Sequence, residues 1–129
     1  MALQAEIIAV TPFRQNCTLL WDDETREAVL TDVGGDVSFL LQELDAKNLT
    51  LTAIWLTHGH LDHAGGVVEL REHRPVPVIG PHADDEFLLQ ALPDTTAQYG
   101  FPVSPAFKPT RWLTEGETLK VGSHAFQVL

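Results

Sequence analysis

Residues 57–63 decide the fold and the chemistry of this chain, and they read Thr57-His58-Gly59-His60-Leu61-Asp62-His63. They follow an apolar run at 51–56, which predicts a buried strand that leads directly into the histidines. Because alternate residues of an extended chain point to the same face, His58 and His60 share one side, about 6.5–7 Å apart at Cα. Two imidazoles placed in this way can bind one ion, so the stretch predicts a metal site.

Asp62 and His63 come where the chain turns from the strand into a helix. Neighbouring helical positions point about 100° apart, so we expect these side chains to bind a second ion rather than crowd the first. Nitrogen and oxygen ligands of this kind suit zinc, iron or manganese, and the pattern does not choose among them. The alternative interpretation is a polar loop of surface histidines in which Asp62 only caps the following helix.

The composition indicates a single globular domain over residues 1–129. A formal charge of −10, from 18 acidic and 8 basic residues, disfavours nucleic acid and anionic membranes, because both require a basic surface. No apolar run reaches the roughly 18 residues of a membrane span. The lone Cys17 excludes an internal disulfide, fits a reducing compartment and is expected in the core. Because the first residues have neither a basic region nor a long apolar stretch, we expect no secretion leader and a cytoplasmic protein.

Strands and helices alternate along the chain, which predicts an α/β fold. The predicted strands lie at 5–12, 17–21, 27–31, 51–56 and 76–80, followed by a hairpin of 118–121 with 125–128. The predicted helices begin at Val37, with Asp36 as N-cap and Lys47 and Asn48 at the end, near Val67, and at Asp84. The polar stretch 14–16 is expected to separate the first two strands, which favours an antiparallel start. Pro93 is expected to end the last helix, and 93–109, with four prolines, predicts an irregular loop.

The pattern Thr-His-x-His-x-Asp-His at 57–63 is the signature of the metallo-β-lactamase superfamily, and the chain resembles that superfamily, nearest to its short glyoxalase II-like members. Further similarities lie at Asp32 with Gly34-Gly35, at Gln15-Asn16-Cys17, at Gly65-Gly66, at Val78-Ile79-Gly80-Pro81, and from Trp112-Leu113 to Gly116-Glu117. The resemblance implies that the chain forms the N-terminal half or more of a four-layer αββα sandwich.

The resemblance also implies roles for the site residues. His58 and His60 would bind the first of two divalent ions, and Asp62 and His63 the second, with zinc expected first and iron or manganese as alternatives. Asp62 would in addition orient the attacking hydroxide, which makes it the expected catalytic residue. Asp32 would support the site, although a turn residue before glycine is an equally good local interpretation.

The implied activity is that of a binuclear hydrolase acting on a small-molecule thioester such as hydroxyacylglutathione. A lactonase, a β-lactamase-like amidase and an iron-dependent persulfide dioxygenase remain as alternatives within the superfamily. A non-catalytic, truncated metal-binding module is the alternative from a different class.

The ligand count predicts that the chain is truncated at its C-terminus. The family supplies a further histidine, an aspartate and a final histidine beyond a strand equivalent to the one that ends at Leu129. His73, His82 and His124 are expected at the surface and not in those positions. We therefore expect the chain alone to be inactive, with an apolar sheet face that a homodimer or a second chain would cover.

Overall fold

A five-stranded sheet forms the middle layer of the chain in a computed structural model that describes residues 2–11 and 13–128. Its strands are β1 (Leu3–Val10), β2 (Gln15–Asp22), β3 (Glu27–Thr31), β4 (Thr50–Trp55) and β5 (Val78–Ile79). They lie side by side in sequence order. The pairs β1–β2 and β2–β3 are antiparallel, whereas β3–β4 and β4–β5 are parallel.

Helices connect the parallel strands, because a parallel pair needs a crossover. α1 (Val37–Ala46) connects β3 to β4, and α2 (Leu61–Ala64) and α3 (Val67–His73) connect β4 to β5. After β5 come a 3₁₀ turn at Ala83–Asp85 and the helices α4 (Glu86–Gln90) and α5 (Leu92–Gln98). A separate antiparallel hairpin of β6 (Thr118–Val121) and β7 (His124–Gln127) completes the described structure.

Each face of the large sheet carries its own hydrophobic core, because side chains alternate along a strand. Leu30 of β3 packs with Leu40 and Leu70 on the helical side. Its neighbour Val29 packs with Leu119 on the side of the hairpin. The result is a helix layer, a sheet and a second, smaller sheet, which agrees with the predicted α/β class.

The strand predictions are confirmed with shifted ends. β3 has the predicted bounds, and β4 begins and ends one residue earlier than predicted. β2 begins at Gln15, inside the expected polar break, because Gln15 and Asn16 complete the pairing with β1. The predicted strand 5–12 reaches Pro12, which lies outside the described residues, as do Met1 and Leu129.

Asp36 precedes α1 as predicted, but it does not cap the helix with its side chain. Its φ is 52°, and the side chain makes no capping hydrogen bond. The Asp36 Oδ2 atom instead accepts a hydrogen bond from the Thr11 amide at 2.8 Å. The carboxylate therefore ties the start of α1 to the turn between β1 and β2.

Pro93 does not end the last helix, so this part of the prediction was wrong. It lies in the first turn of α5, where its missing N–H costs no hydrogen bond. The buried Thr96 Oγ1 atom of the same helix accepts from the Ser104 amide at 3.1 Å. That bond folds the following loop back onto α5, so the predicted irregular segment begins only after Gln98.

Asp22, at the end of β2, links the large sheet to the hairpin. Its buried Oδ1 atom accepts from the amides of Glu24 and Thr25 at 2.8 and 3.0 Å. Its Oδ2 atom lies 3.1 Å from His124 Nε2. His124 is therefore half-buried against the sheet. The sequence had suggested a surface position for it.

Among the described residues, no helix is both long enough and apolar enough to cross a membrane.

We predict that Asp22 makes the protein sensitive to acid. The amides of Thr25 and Glu24, and then His124, lower the pKa of Asp22. The carboxylate therefore contributes stability above the unfolded pKa of about 3.9, and this contribution is lost as pH falls through the lower folded pKa. Asp22→Asn should give a lower melting temperature at pH 7 and a flatter decline below about pH 4. A melting series for Asp22→Asn that runs parallel to that of Glu72→Gln, an exposed control, would contradict this.

Candidate metal centre

The candidate site begins where β4 ends. Thr57, His58, Gly59 and His60 form the loop after the strand, and Asp62 and His63 lie in the short helix α2, for which His60 is the N-cap residue. The parallel neighbours β3 and β5 end at the same edge of the sheet. Side chains at this edge of an α/β sheet commonly form binding sites.

The three histidine rings of this stretch lie close together. The ring centroids of His58 and His63 are 3.6 Å apart with an angle of 48° between the planes. Those of His58 and His60 are 5.0 Å apart and nearly perpendicular. Burial, and then the neighbouring His63, lower the pKa of His58. A low pKa keeps this imidazole neutral near pH 7, which is the state that can bind a metal.

Asp32, the residue after β3, binds the loop that carries the histidines. It is buried, with a φ of 56°. Its Oδ1 atom accepts from the Thr57 amide at 2.8 Å, and its Oδ2 atom accepts from the Thr57 hydroxyl at 2.7 Å. Both sequence interpretations of Asp32 therefore hold: it is a turn residue before glycine, and it supports the loop that carries the histidines.

The same contacts determine which ring nitrogen of His58 carries the proton. The Thr57 hydroxyl has one proton and donates it to the carboxylate, so it can only accept from His58 Nδ1, 3.2 Å away. Nδ1 of His58 is therefore protonated, and Nε2 keeps its lone pair. A ligand histidine in metalloproteins is held in the same way, through the nitrogen that does not bind the metal.

His63 is oriented by the same carboxylate. Its buried Nδ1 atom lies 3.2 Å from Asp32 Oδ2, at ion-pair distance but off the direction of a hydrogen bond. The negative charge favours the proton on Nδ1 and leaves Nε2 free. Nε2 lies 3.7 Å from Asp62 Oδ2. Two ligands of one tetrahedral zinc ion are separated by about 3.3 Å if their bonds have the usual lengths, so this pair needs only a small adjustment.

Close backbone packing holds α2 against the end of β3. A Cβ atom added to Gly34 would lie 1.9 Å from the carbonyl oxygen of Asp62, and one on Gly65 would lie 3.1 Å from that of Gly34. The Gly66 amide donates to the Val33 carbonyl at 3.0 Å. The glycines noted in the sequence therefore allow α2 to approach the sheet.

The donor set fits metal ions in its chemistry but is incomplete. It offers three imidazoles and one carboxylate, the ligand types that bind zinc and iron. Within residues 2–11 and 13–128, however, no three or more His, Cys, Asp or Glu side chains are grouped so that they could hold an ion. The structure thus places the rings of His60 and His63 beside that of His58, and the Asp62 carboxylate beside His63.

The remaining candidates lie apart from this cluster. His73 is exposed at the end of α3, as predicted. His82 is also exposed, and its Nδ1 atom accepts from the Asp84 amide. Cys17 is buried in the core, where burial raises the pKa of its thiol to about 12 and leaves it unreactive.

A cavity of about 610 Å³ lies between the large sheet and the hairpin, beside Thr57 and His82. Its walls are mainly apolar and include Leu20, Trp55, Leu113 and Phe126. The hairpin therefore covers part of the sheet face that the sequence predicted to be open.

Comparison with known proteins defines the class to which this fold and site belong. The family model described as metallo-beta-lactamase superfamily matches residues 10–129. The chain belongs to that superfamily.

Two curated relatives within the superfamily are named hydroxyacylglutathione hydrolases. Hydroxyacylglutathione hydrolase GloC of Haemophilus influenzae is 42% identical over 128 residues, which cover 98% of this chain and 60% of the relative. A hydroxyacylglutathione hydrolase of Bdellovibrio bacteriovorus is 34% identical, with coverage of 100% of this chain and 44% of the relative. The chain thus spans about half the length of these curated relatives.

Solved structures confirm the fold. The BLEG-1 B3 metallo-beta-lactamase is similar with a TM-score of 0.82 and 32% identity, over 96% of this chain and 59% of that one. TTHA1623 in a di-iron-bound form is similar with a TM-score of 0.77 and 30% identity, over 88% of this chain and 56% of that one.

We predict that Asp32 stabilises the histidine loop. Asp32→Ala should lower the free energy of unfolding by about 1–3 kcal/mol, because it leaves the Thr57 amide without its acceptor. Asp94→Ala, at an exposed carboxylate, is the control and should change stability little. Urea denaturation measures both, and equal stability of the two variants would show that Asp32 does not hold the loop.

Proposed function

We propose that this chain supplies the N-terminal part of a binuclear metal-dependent hydrolase of the glyoxalase II type. In this proposal His58 and His60 bind the first divalent ion, and Asp62 and His63 bind the second. Zinc suits this mixture of imidazole and carboxylate, and iron or manganese suits it as well. The single observation that carries the proposal is the network from Asp32 through Thr57, which leaves Nε2 of His58 free to bind a metal.

The ions, when bound, would supply a water nucleophile at neutral pH and an electrophile for the substrate carbonyl. The residues of the chain hold and orient the reacting groups. Asp62 is the catalytic residue of the proposal, because its carboxylate, with a side-chain exposure of 23%, is partly open to a reacting water. His63 beside it is less exposed, at 12%, and its Nδ1 atom lies 3.2 Å from Asp32 Oδ2.

A thioester is the substrate class that this site suits best. Water adds to the carbonyl carbon, the C–S bond breaks, and a carboxylic acid and a thiol leave. Because the thiol has a pKa of about 8.5, the sulfur departs with little help from a general acid. Apart from the proposed metal ligands, the stretch 57–63 contains only Thr57, Gly59 and Leu61, so it offers no further side chain as a general acid. The relatives named hydroxyacylglutathione hydrolases support the same class.

The chain alone is proposed to be inactive. Each proposed ion has only two ligands from the described residues, and no larger group of donors is present among them. The proposed partner is a small-molecule thioester, and the proposed location is the cytoplasm. Coverage of the remaining sheet face by a homodimer or a second chain stays a prediction.

The test joins this chain to the C-terminal part of GloC that the match leaves uncovered. We expect the 129-residue chain alone to give no turnover of lactoylglutathione, and the fusion to hydrolyse it with about two ions bound per chain. His58→Ala in the fusion should abolish turnover and lower metal content, whereas His73→Ala, at an exposed histidine, should retain both.

Other outcomes would replace the proposal with a stated alternative. A metal-loaded fusion that opens a lactone or a β-lactam but spares the thioester indicates a different hydrolase of the superfamily. Oxygen consumption with glutathione persulfide and iron indicates a dioxygenase. Metal content far below one ion per chain, without activity, indicates a non-catalytic module.

A further inference from the structure

The peptide between the first two histidines is held by a carboxylate from a distant part of the chain. The Gly59 amide donates to Asp85 Oδ2 at 3.1 Å, across 26 residues of sequence. Gly59 is buried, so bulk water is poorly placed to replace this acceptor. An amide in this position needs a partner, because a buried N–H without one is costly.

Asp85 is directed to this contact and not to its own helix. It is the residue before α4, yet its side chain makes no capping hydrogen bond there. The sequence had suggested only that acidic residues at this position favour the helix dipole. The side chain instead reaches the loop that carries His58 and His60.

The position of Asp85 is itself fixed by its neighbours. The Asp85 amide donates to the His82 carbonyl at 3.0 Å, and His82 Nδ1 accepts from the Asp84 amide at 3.1 Å. A backbone hydrogen bond and a side-chain hydrogen bond, both to His82, thus hold the 3₁₀ turn of Ala83–Asp85.

Gly59 also packs closely on the same segment. A Cβ atom added to Gly59 would lie 3.1 Å from Leu88 Cβ, 3.2 Å from the Asp85 carbonyl oxygen and 3.2 Å from Leu89 Cδ2. These distances are tighter than ordinary contacts, so the Gly59 backbone rests directly on α4. The hydrogen bond and the packing together leave the Gly59 peptide little freedom to rotate.

From this geometry we infer that Asp85 is a positioning residue, which fixes the Gly59 peptide and thereby the directions of the His58 and His60 side chains. His58 and His60 are the two chain neighbours of Gly59, so rotation of the peptide plane on either side of Gly59 moves one of the imidazoles. The inference rests on the proposed function, in which these imidazoles bind one ion. Outer partners of metal ligands commonly change affinity by 10–100-fold when removed.

The bond itself can be observed in the metal-free wild-type chain. We expect an NMR scalar coupling across the hydrogen bond from the Gly59 amide nitrogen to the Asp85 side-chain carboxyl carbon. We also expect the Gly59 amide to exchange its hydrogen more slowly in the wild-type chain than in Asp85→Ala. Absence of the coupling, together with fast exchange at Gly59 in the wild-type chain, would overturn the inference without any variant.

Variants then test the effect on the histidines and on metal binding, in the chain and in the GloC fusion. Asp85→Ala should shift the ring resonances of His58 and His60 and weaken Zn²⁺ binding about 10-fold or more in a chelator competition. Asp85→Asn keeps an acceptor oxygen and should recover most of the affinity. Asp84→Ala, at the exposed neighbouring carboxylate, is the matched control and should behave as wild type.

The outcomes separate this inference from the proposed function. If Asp85→Ala matches Asp84→Ala in ring resonances and Zn²⁺ affinity, the positioning role is wrong even if the fusion is active. If the wild-type fusion binds no metal, the proposed function fails. The Gly59 coupling and the ring resonances of His58 and His60 then still decide the role of Asp85. Should Asp85→Ala not fold, the wild-type coupling and Asp85→Asn give the decision.

Discussion

The buried carboxylate of Asp32 is the interaction on which the candidate site depends. It lies just after β3 and accepts hydrogen bonds from the amide and the hydroxyl of Thr57, which lies just after the parallel neighbour β4. The same carboxylate also lies 3.2 Å from Nδ1 of His63, a residue of α2. One buried side chain thus contacts both the histidine loop and the helix that follows it.

Because a carboxylate only accepts hydrogen bonds, its position sets the direction of the protons around it. The Thr57 hydroxyl must donate toward Asp32, so His58 must donate toward Thr57. The consequence is that Nε2 of His58 keeps its lone pair available. The fold therefore prepares the ligands through ordinary backbone and side-chain hydrogen bonds, before any ion is considered.

The site stretch itself could be predicted from the sequence, because the relevant geometry is local. An apolar strand that runs into His-x-His predicts two neighbouring imidazoles just beyond its end, and the structure has them in the loop after β4, with ring centroids 5.0 Å apart. Asp62 and His63 follow where the chain was expected to turn into a helix, and the structure places them in α2. The layers of the fold were also predictable, since the periodicity of Val37, Leu40 and Leu44 and the apolar strands are local patterns.

The contacts that the sequence did not predict are all between distant segments. The bond from Asp85 to Gly59 spans 26 residues, and an acidic residue before a helix has a simpler local explanation. The burial of His124 depends on how the hairpin docks on Asp22, which no spacing encodes. Pro93 misled the prediction because the same residue can stop one helix or begin the next.

The most direct test of the central claim is the protonation pattern of the histidine rings in the metal-free chain, measured by long-range proton–nitrogen NMR correlation. We expect His58 and His63 to carry their proton on Nδ1, in contrast to the exposed His73, and added Zn²⁺ to shift their Nε2 resonances. Protonation of His58 and His63 on Nε2, with no response to Zn²⁺, would contradict the claim.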